Sequence, residues 1–362
     1  MGLQGDTCLK KCFFETYRFS EDLDFTLLDS GHIDEEFLKH TLAEIGQWVY
    51  DETGIEIPAG MQDFEIFKNP RGNPSCQAKV AYRGPISPPG KNAPRIKLDL
   101  TADELIVLPP VVASVFHPYS DTPKAGIEIL AYAYEEAFGE KVRALGERTR
   151  PRDLYDVINL YRNASARPAA AVLLDVLRQK CGFKSIAVPR FADLEPHRAD
   201  LAAGWENMLA HQLPALLPLN TFWNELPEFF AWLEGGEEPT VPLAYALSAG
   251  DVVLRERQLR LPVGAAAQST IEVIRFAGFN RLCVEIDYRN EQGIPSTRLA
   301  EPYSLRRTAE GNVLLHVHDL TKDQHKTLRV DRIQGARVTD RMFAPRHDVE
   351  LTPEGPIRVP RV

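Results

Sequence analysis

The chain has no apolar run approaching 18 residues, so its sequence offers no transmembrane helix. Its first residues show no basic segment followed by an apolar one, which excludes the pattern of a secretory signal. Cysteine is scarce. The five present, Cys8, Cys12, Cys76, Cys181 and Cys283, are odd in number, scattered, and include no CxxC pair. That excludes a disulfide framework and a zinc site, and fits reduced thiols in a cytoplasmic protein. Positive charge is not in excess either. A formal net charge of −9 argues against a uniformly basic coat for nucleic acid. There is no internal repeat, no low-complexity tract and no helix-turn-helix pattern.

What is present is ordinary for a globular protein: 44% hydrophobic and 26% charged residues over 362 positions, enough for two or three domains. The charge is uneven. From Ser269 to Val362 there are 15 Lys/Arg and 13 Asp/Glu, a net of +2, which leaves −9 − 2 = −11 for the rest. An acidic front part can still bind polyphosphate when metal ions bridge the repulsion.

The periodicities divide the chain into four segments: 1–165, mixed; 166–240, helical; 241–268, a linker; and 269–362, short strands. In the first segment, Phe19–Leu28 alternates as a strand does, and Asp34–Tyr50 has helical spacing. Glu65–Phe67, Ala78–Tyr82 and Arg95–Leu100 read as strands, the last two joined as a hairpin by "RGPISPPGKNAP". Gly126–Gly139, Glu140–Arg148 and Arg152–Tyr161 read as helices, with Pro151 at the first turn of the last. In the second segment "AAAVLLDVLRQK", "LAAGWENMLAHQL" and "TFWNELPEFFAWLEG" are helical, bounded or broken by Pro214, Pro218 and Pro227. "EGGEEPTVP" has linker composition. From about Thr270, "STIEVIRFA", "RLCVEIDYR", "STRLAEPYSLRR", "NVLLHVHDL" and "KTLRVDRIQGARV" alternate as the strands of a small barrel or sandwich do.

One strand carries chemistry. In "RFSEDLDF", Asp22 and Asp24 stand two apart, so both project from one side, with Leu23 and Phe25 on the other. Two adjacent carboxylates repel unless a cation neutralises them. Mg²⁺ suits that role, because it takes hard oxygen ligands and keeps substrate phosphates in its shell. Two such ions can organise in-line attack on a nucleotide α-phosphate. Asp99 in "RIKLDL" is the best-placed third carboxylate. The competing expectation is that Asp-x-Asp merely decorates a solvated strand.

The front segment resembles the AbiEii/AbiGii-type nucleotidyltransferases, toxin components of the DNA polymerase β-like superfamily. The matching residues are the turn Gly5-Asp6-Thr7-Cys8-Leu9, then Arg18-Phe19-Ser20-Glu21-Asp22-Leu23-Asp24-Phe25. A second signature follows: Glu140-Lys141, Arg148, and Arg152-Asp153-Leu154-Tyr155-Asp156. The resemblance implies an α+β fold, a polymerase β-like mixed sheet with helices, followed by a helical region. It implies that Asp22 and Asp24 hold Mg²⁺, with Asp99 the third carboxylate read from the sequence, and that an NTP is the substrate. It also implies that the turn Gly5, Asp6 and Thr7, with Arg18 and Ser20, lies at the nucleotide. Lys141 would neutralise phosphate charge, and Asp153 would act as base or orienting group. Arg18 either orients the strand or touches nucleotide. Tyr155 and Asp156 read as packing and helix-surface positions. Asp6 departs from the family pattern, which has Gly or Ser there, and the signature begins only five residues in. The acceptor implied is RNA, at a tRNA 3′ end, and the partner implied is a cognate antitoxin.

The last segment resembles a WYL domain, an Sm/SH3-like β-barrel. The residues that carry this are Asp287-Tyr288, Thr297-Arg298, Glu301-Pro302-Tyr303-Ser304-Leu305 and Leu328-Arg329-Val330-Asp331-Arg332-Ile333. The naming tripeptide is replaced by Leu314-Leu315-His316. The resemblance implies a ligand or nucleic-acid site at Tyr288, Arg298, Arg329 and Arg332, since arginine forks match phosphate oxygens and tyrosine stacks on bases. Tyr303 is an alternative stacking residue, and Arg298 could instead pair with Glu301 or a neighbouring strand. His316, His318 and His325 read as solvated strand and turn residues rather than a metal set. The rival expectation for the whole chain is a decayed nucleotidyltransferase acting as a sensor through its barrel.

Overall fold

The computed structural model describes residues 2–14, 18–20, 22–69, 71–84, 93–116, 123, 125–163, 166–237, 253–254, 263–308, 312–347 and 349–351. The chain forms two compact units. The first takes the described residues of 1–13, 19–116 and 123–137, the second Phe14, Arg18 and those from Phe138 onward.

The first unit is built on a seven-stranded mixed sheet. Its strands are β1 (Gly2–Gln4), β2 (Asp22–Thr26), β3 (Asp63–Lys68), β4 (Pro74–Ala81), β5 (Arg95–Thr101), β6 (Val111–Ser114) and β7 (Glu128–Ala131), in the order β3-β4-β5-β2-β1-β7-β6. β2 runs parallel to β5 and antiparallel to β1. A short helix α1 (Gly5–Cys8) follows β1 directly and continues as a π-helical turn, Leu9–Phe13. Helix α2 (Glu35–Thr53) starts where the Asp34 carboxylate accepts the Phe37 N–H at 3.0 Å. It ends at Gly54, which adopts the left-handed conformation favoured by glycine.

Alternation along the strands gives the sheet two chemically different faces. Phe64, Cys76, Ala78, Leu98 and Leu100 meet Leu27, Ile33 and, from α2, Leu38 in one apolar cluster. Leu3, Cys8 and Ala131 form a second, joined by Phe13 and Ile129, and Phe25 packs against both. The opposite face of β3, β4, β5 and β2 carries polar and charged side chains, row upon row.

In the second unit, helix α3 (Tyr134–Arg148), whose first residues belong to the first unit, leads to α4 (Pro151–Arg162), with proline at its first turn. α5 (Ala170–Lys184), α6 (Phe191–Leu194), α7 (Arg198–Leu209), α8 (Asn220–Trp223) and α9 (Leu226–Leu233) follow, with a two-residue ladder between β8 (Ala215–Leu216) and β9 (Val253–Leu254). Aromatic rings knit these helices: Tyr161 and Phe138 lie 5.4 and 5.9 Å from Phe229, and Trp205 5.2 Å from Phe222. Helix α4 is buried along its length except at Arg152. Several of its charged and amide groups are paired, since an unpaired buried charge would be costly. Asp153 takes both Arg148 nitrogens at 2.7 Å, Asn159 donates to the Tyr155 carbonyl, and Arg162 binds Glu225.

Helix α10 (Val263–Phe279) precedes a five-stranded antiparallel sheet: β10 (Leu282–Arg289), β11 (Pro295–Arg307), β12 (Val313–Asp319), β13 (Gln324–Arg329) and β14 (Ile333–Met342), ordered β13-β12-β11-β10-β14. A mixed sheet with helices, a helical middle and a separate small antiparallel β-structure is the α+β architecture that the sequence implies.

Three local expectations are overturned. Residues 128–131 form a strand, because Ile127-Glu128-Ile129 alternates and Gly126 at φ +76° breaks any helix before it. "STIEVIRFA" lies in α10. Its β-branched residues favour a strand locally, yet Thr270, Ile274 and Ala277 are buried at helical spacing, and packing decides. Asp156 lies in the interior rather than on a helix surface. The hairpin of β4 and β5 is present, while residues 85–92 of its loop, and most of the 241–268 linker, fall outside the described residues.

Candidate active site

The registers place the acidic residues together. Asp24 is the cross-strand partner of Asp99, and Asp22 that of Lys97, so β2 and β5 present Asp22, Asp24 and Asp99 on the same, polar face. Through β4 and β3 the rows extend to Gln77 and Glu65 beside Asp99, and to Lys79 and Asp63 beside Lys97. All three aspartates are half-buried. Burial first, and the Asp22 charge second, push the Asp99 carboxyl above its usual range, while a side-chain hydrogen bond from Gln77 pulls it back.

The turn after β1 is shaped around Asp24. Gly5 has φ +69°, and a Cβ built on it would stand 2.1 Å from Asp24 Oδ2 and 2.8 Å from its Cγ. Only glycine satisfies both the backbone and the carboxylate pressed against it. Two residues on, the Thr7 hydroxyl donates to the Asp22 carbonyl at 2.5 Å and lies 2.8 Å from the Ser20 hydroxyl. The turn is thus tied to the strand that carries the acids. Asp6 sits in the first turn of α1, partly buried.

The carboxylates suit a divalent cation. Asp22 Oδ1 is buried without a hydrogen-bond partner. The Lys97 ammonium stands 3.5 Å away, close enough for ionic attraction only. Among the described residues no group of three or more Asp, Glu, His or Cys side chains is placed to hold a metal ion. Two carboxylates with open positions left for phosphate oxygens are what Mg²⁺ commonly takes from a protein.

The other expected residues lie in the second unit. Arg18 is fully buried, with Nε and Nη2 each 2.8 Å from Asp156 and Nη1 2.9 Å from Gln212. Lys141 Nζ reaches the same Asp156 at 2.7 Å. Asp153 is buried beneath Arg148. Sequence reasoning passed over Lys97 and Lys79. The alternation of "RIKLDL" already puts Lys97 on the Asp99 side, but Lys79 joins them only through the strand register.

A family model, "Nucleotidyl transferase AbiEii toxin, Type IV TA system", matches residues 2–235. The chain belongs to the AbiEii nucleotidyltransferase toxin family. A second model, "WYL domain", matches residues 269–338 of this AbiEii-family chain. No curated protein matches it. Among solved structures, proteasome accessory factor B/C (PafBC) of Arthrobacter aurescens aligns at 15% identity with a TM-score of 0.20, over 59% of this chain. This chain spans 32% of that one.

In the WYL domain of this AbiEii-family protein, the residues singled out gather round Tyr288. Arg298 lies 5.8 Å from its ring centre and binds Asp319 of β12 at 2.8 Å. Arg329 donates its backbone N–H to the Tyr288 hydroxyl at 3.4 Å, while its guanidinium holds Asp331 and Asn312. Arg332 binds Glu291. Tyr303 is buried and donates to Glu301 at 2.6 Å. His318 is buried, 2.9 Å from Asp323, rather than solvated. His316 and His325 stack 5.5 Å apart. No helix among the described residues is long and apolar enough to cross a membrane.

Proposed function

We propose that this AbiEii-family chain is a Mg²⁺-dependent nucleotidyltransferase that moves a nucleoside monophosphate from an NTP to an acceptor hydroxyl and releases pyrophosphate. One observation carries the proposal. Asp22, Asp24 and Asp99 share one polar sheet face, with an oxygen of Asp22 left unsatisfied.

Asp22 and Asp24 hold the cation, and Asp99 joins them once a cation offsets their mutual repulsion. Bound there, Mg²⁺ supplies Lewis acidity toward phosphate oxygens. In the transfer, an acceptor oxygen forms a bond to the α-phosphorus, the bond from that phosphorus to the bridging oxygen breaks, and pyrophosphate leaves with the electron pair. The acceptor hydroxyl gives up its proton to a carboxylate. Gly5 leaves Asp24 room. Thr7 and Ser20 tie the turn to β2, and nucleotide binds along it. Lys141 and Asp153 enter as phosphate-neutralising and orienting groups on the family signature. Lys141 is paired with the buried Asp156, and Asp153 with the half-exposed Arg148. Arg18 supports Asp156 and, being wholly buried, is given no contact with nucleotide.

The acceptor proposed is RNA, at a tRNA 3′ end, and the biological role a toxin restrained by a cognate antitoxin. The family's own description, the toxin of a type IV toxin–antitoxin system, supports the toxin role. The WYL domain holds a nucleotide or nucleic-acid ligand at Tyr288, Arg298, Arg329 and Arg332. The test is pyrophosphate release from each NTP with Mg²⁺ and total tRNA. Release with at least one NTP, lost on removal of divalent cation, is expected. Absence of release with all four would favour a sensor that no longer catalyses.

A further inference from the structure

We propose that Lys97 is the resident counter-ion of the carboxylate site and that, with Lys79, it receives a phosphate oxyanion of the substrate once a divalent cation has taken its place at Asp22. The inference rests on the nucleotidyltransferase proposal and adds two residues to it.

Asp63, Lys79, Lys97 and Asp22 are successive cross-strand partners on one face, so the four side chains form a row one residue pair below that of Asp99 and Asp24. The outer acid, Asp63, is already bound to Arg95. That leaves two lysines directly opposite each other, an arrangement that destabilises a sheet unless something negative lies between or above them. Asp22 faces Lys97 at 3.5 Å without making a hydrogen bond to it. The contact is loose: 56% of the Lys97 side chain and 37% of that of Asp22 are exposed, while the Asp22 oxygen it meets is buried. A pair of this kind is worth little and breaks readily. Lys97 thus screens Asp22 while no metal is bound without locking the site. A divalent cation would displace its ammonium from Asp22, leaving it beside Lys79 to share an arriving anion. There, two ammonium groups beside the metal match the charge of a phosphate, whether from the triphosphate or from the acceptor backbone.

Two probes on the full chain separate this role from a structural one. With Mn²⁺ alone, followed by its paramagnetic resonance signal, Lys97→Gln is expected to bind about five-fold more tightly than wild type, because one opposing charge a few ångströms away is gone. With Mn²⁺ and inorganic tripolyphosphate, the same variant is expected to bind the anion several-fold more weakly, and Lys97→Arg to restore it. Lys79→Gln is expected to leave Mn²⁺ affinity unchanged while weakening tripolyphosphate. A short RNA lacking a triphosphate then tells the sources apart. If it, and not tripolyphosphate, loses affinity in both variants, the strip serves the acceptor. Equal shifts of the same sign with both probes, or none, would overturn the role of Lys97. If wild type takes up Mn²⁺ and Asp22→Asn abolishes it, the metal site stands even then. If wild type takes up none, the metal site and this inference fall together.

Discussion

Gly5→Ala is the sharpest probe of how the turn and the acids depend on one another. At φ +69° an alanine occupies the left-handed region, at a cost of about 1–2 kcal/mol. The new methyl would also overlap Asp24, with Oδ2, Cγ and Cβ at 2.1, 2.8 and 3.1 Å from it. Rotating the carboxylate tip alone cannot relieve contacts that reach back to Cβ, so the side chain leaves its rotamer, for roughly 0.5–1.5 kcal/mol more. The total is about 1.5–3.5 kcal/mol, and a melting temperature lower by roughly 5–10 °C. Gly72→Ala is the matched control. Its φ is +84° and nothing lies within 4 Å of the added methyl, so it carries the backbone cost alone. Calorimetry measures the stability of both, and Mn²⁺ titration reports the position of Asp24. Gly5→Ala should lose both stability and metal affinity, Gly72→Ala a little stability only. If the two variants behave alike in both assays, the description of Gly5 as the space for Asp24 is wrong.

Three further outcomes are expected. The folded-state pKa of Asp99 is raised, so its charge opposes folding and stability falls as pH rises through the carboxylate range. Asp99→Asn should therefore melt higher than wild type near neutral pH without metal, with the gap closing in acid, as a pH series of melting curves would record. Arg18→Met removes the fork from the buried Asp156 and should cost about 3–5 kcal/mol in urea unfolding, a loss that Lys141 alone does not make good. In the WYL domain, Arg329→Ala should weaken nucleic-acid binding and reduce the slope of log affinity against log salt by about 1 if that guanidinium meets a phosphate. An unchanged slope removes it from the contact surface.

The alternation of Asp22, Leu23, Asp24 and Phe25 was legible because a strand exposes its period in the sequence, and the same holds for Lys97 and Asp99. Cross-strand register was not. Nothing local states that Asp24 faces Asp99 or that Lys79 faces Lys97, since sheet pairing is decided over separations of tens of residues. The second signature was legible as a motif but not as an environment. Asp153 reads as a base or orienting group and Asp156 as a helix-surface position, and only the packing of the surrounding helices shows them buried and paired with Arg148 and Arg18. Helix α10 was hidden for a related reason. Its β-branched residues carry a local strand preference that burial at helical spacing overrides.

The central claim is that Asp22 and its neighbours transfer a nucleotide. It is tested most directly by incubating the protein with each α-labelled NTP, Mg²⁺ and total tRNA, beside Asp22→Ala, and counting label in the RNA. Label carried into RNA by wild type and absent with Asp22→Ala is the result predicted. Equal labelling by both proteins, or none by wild type with any NTP, would contradict it.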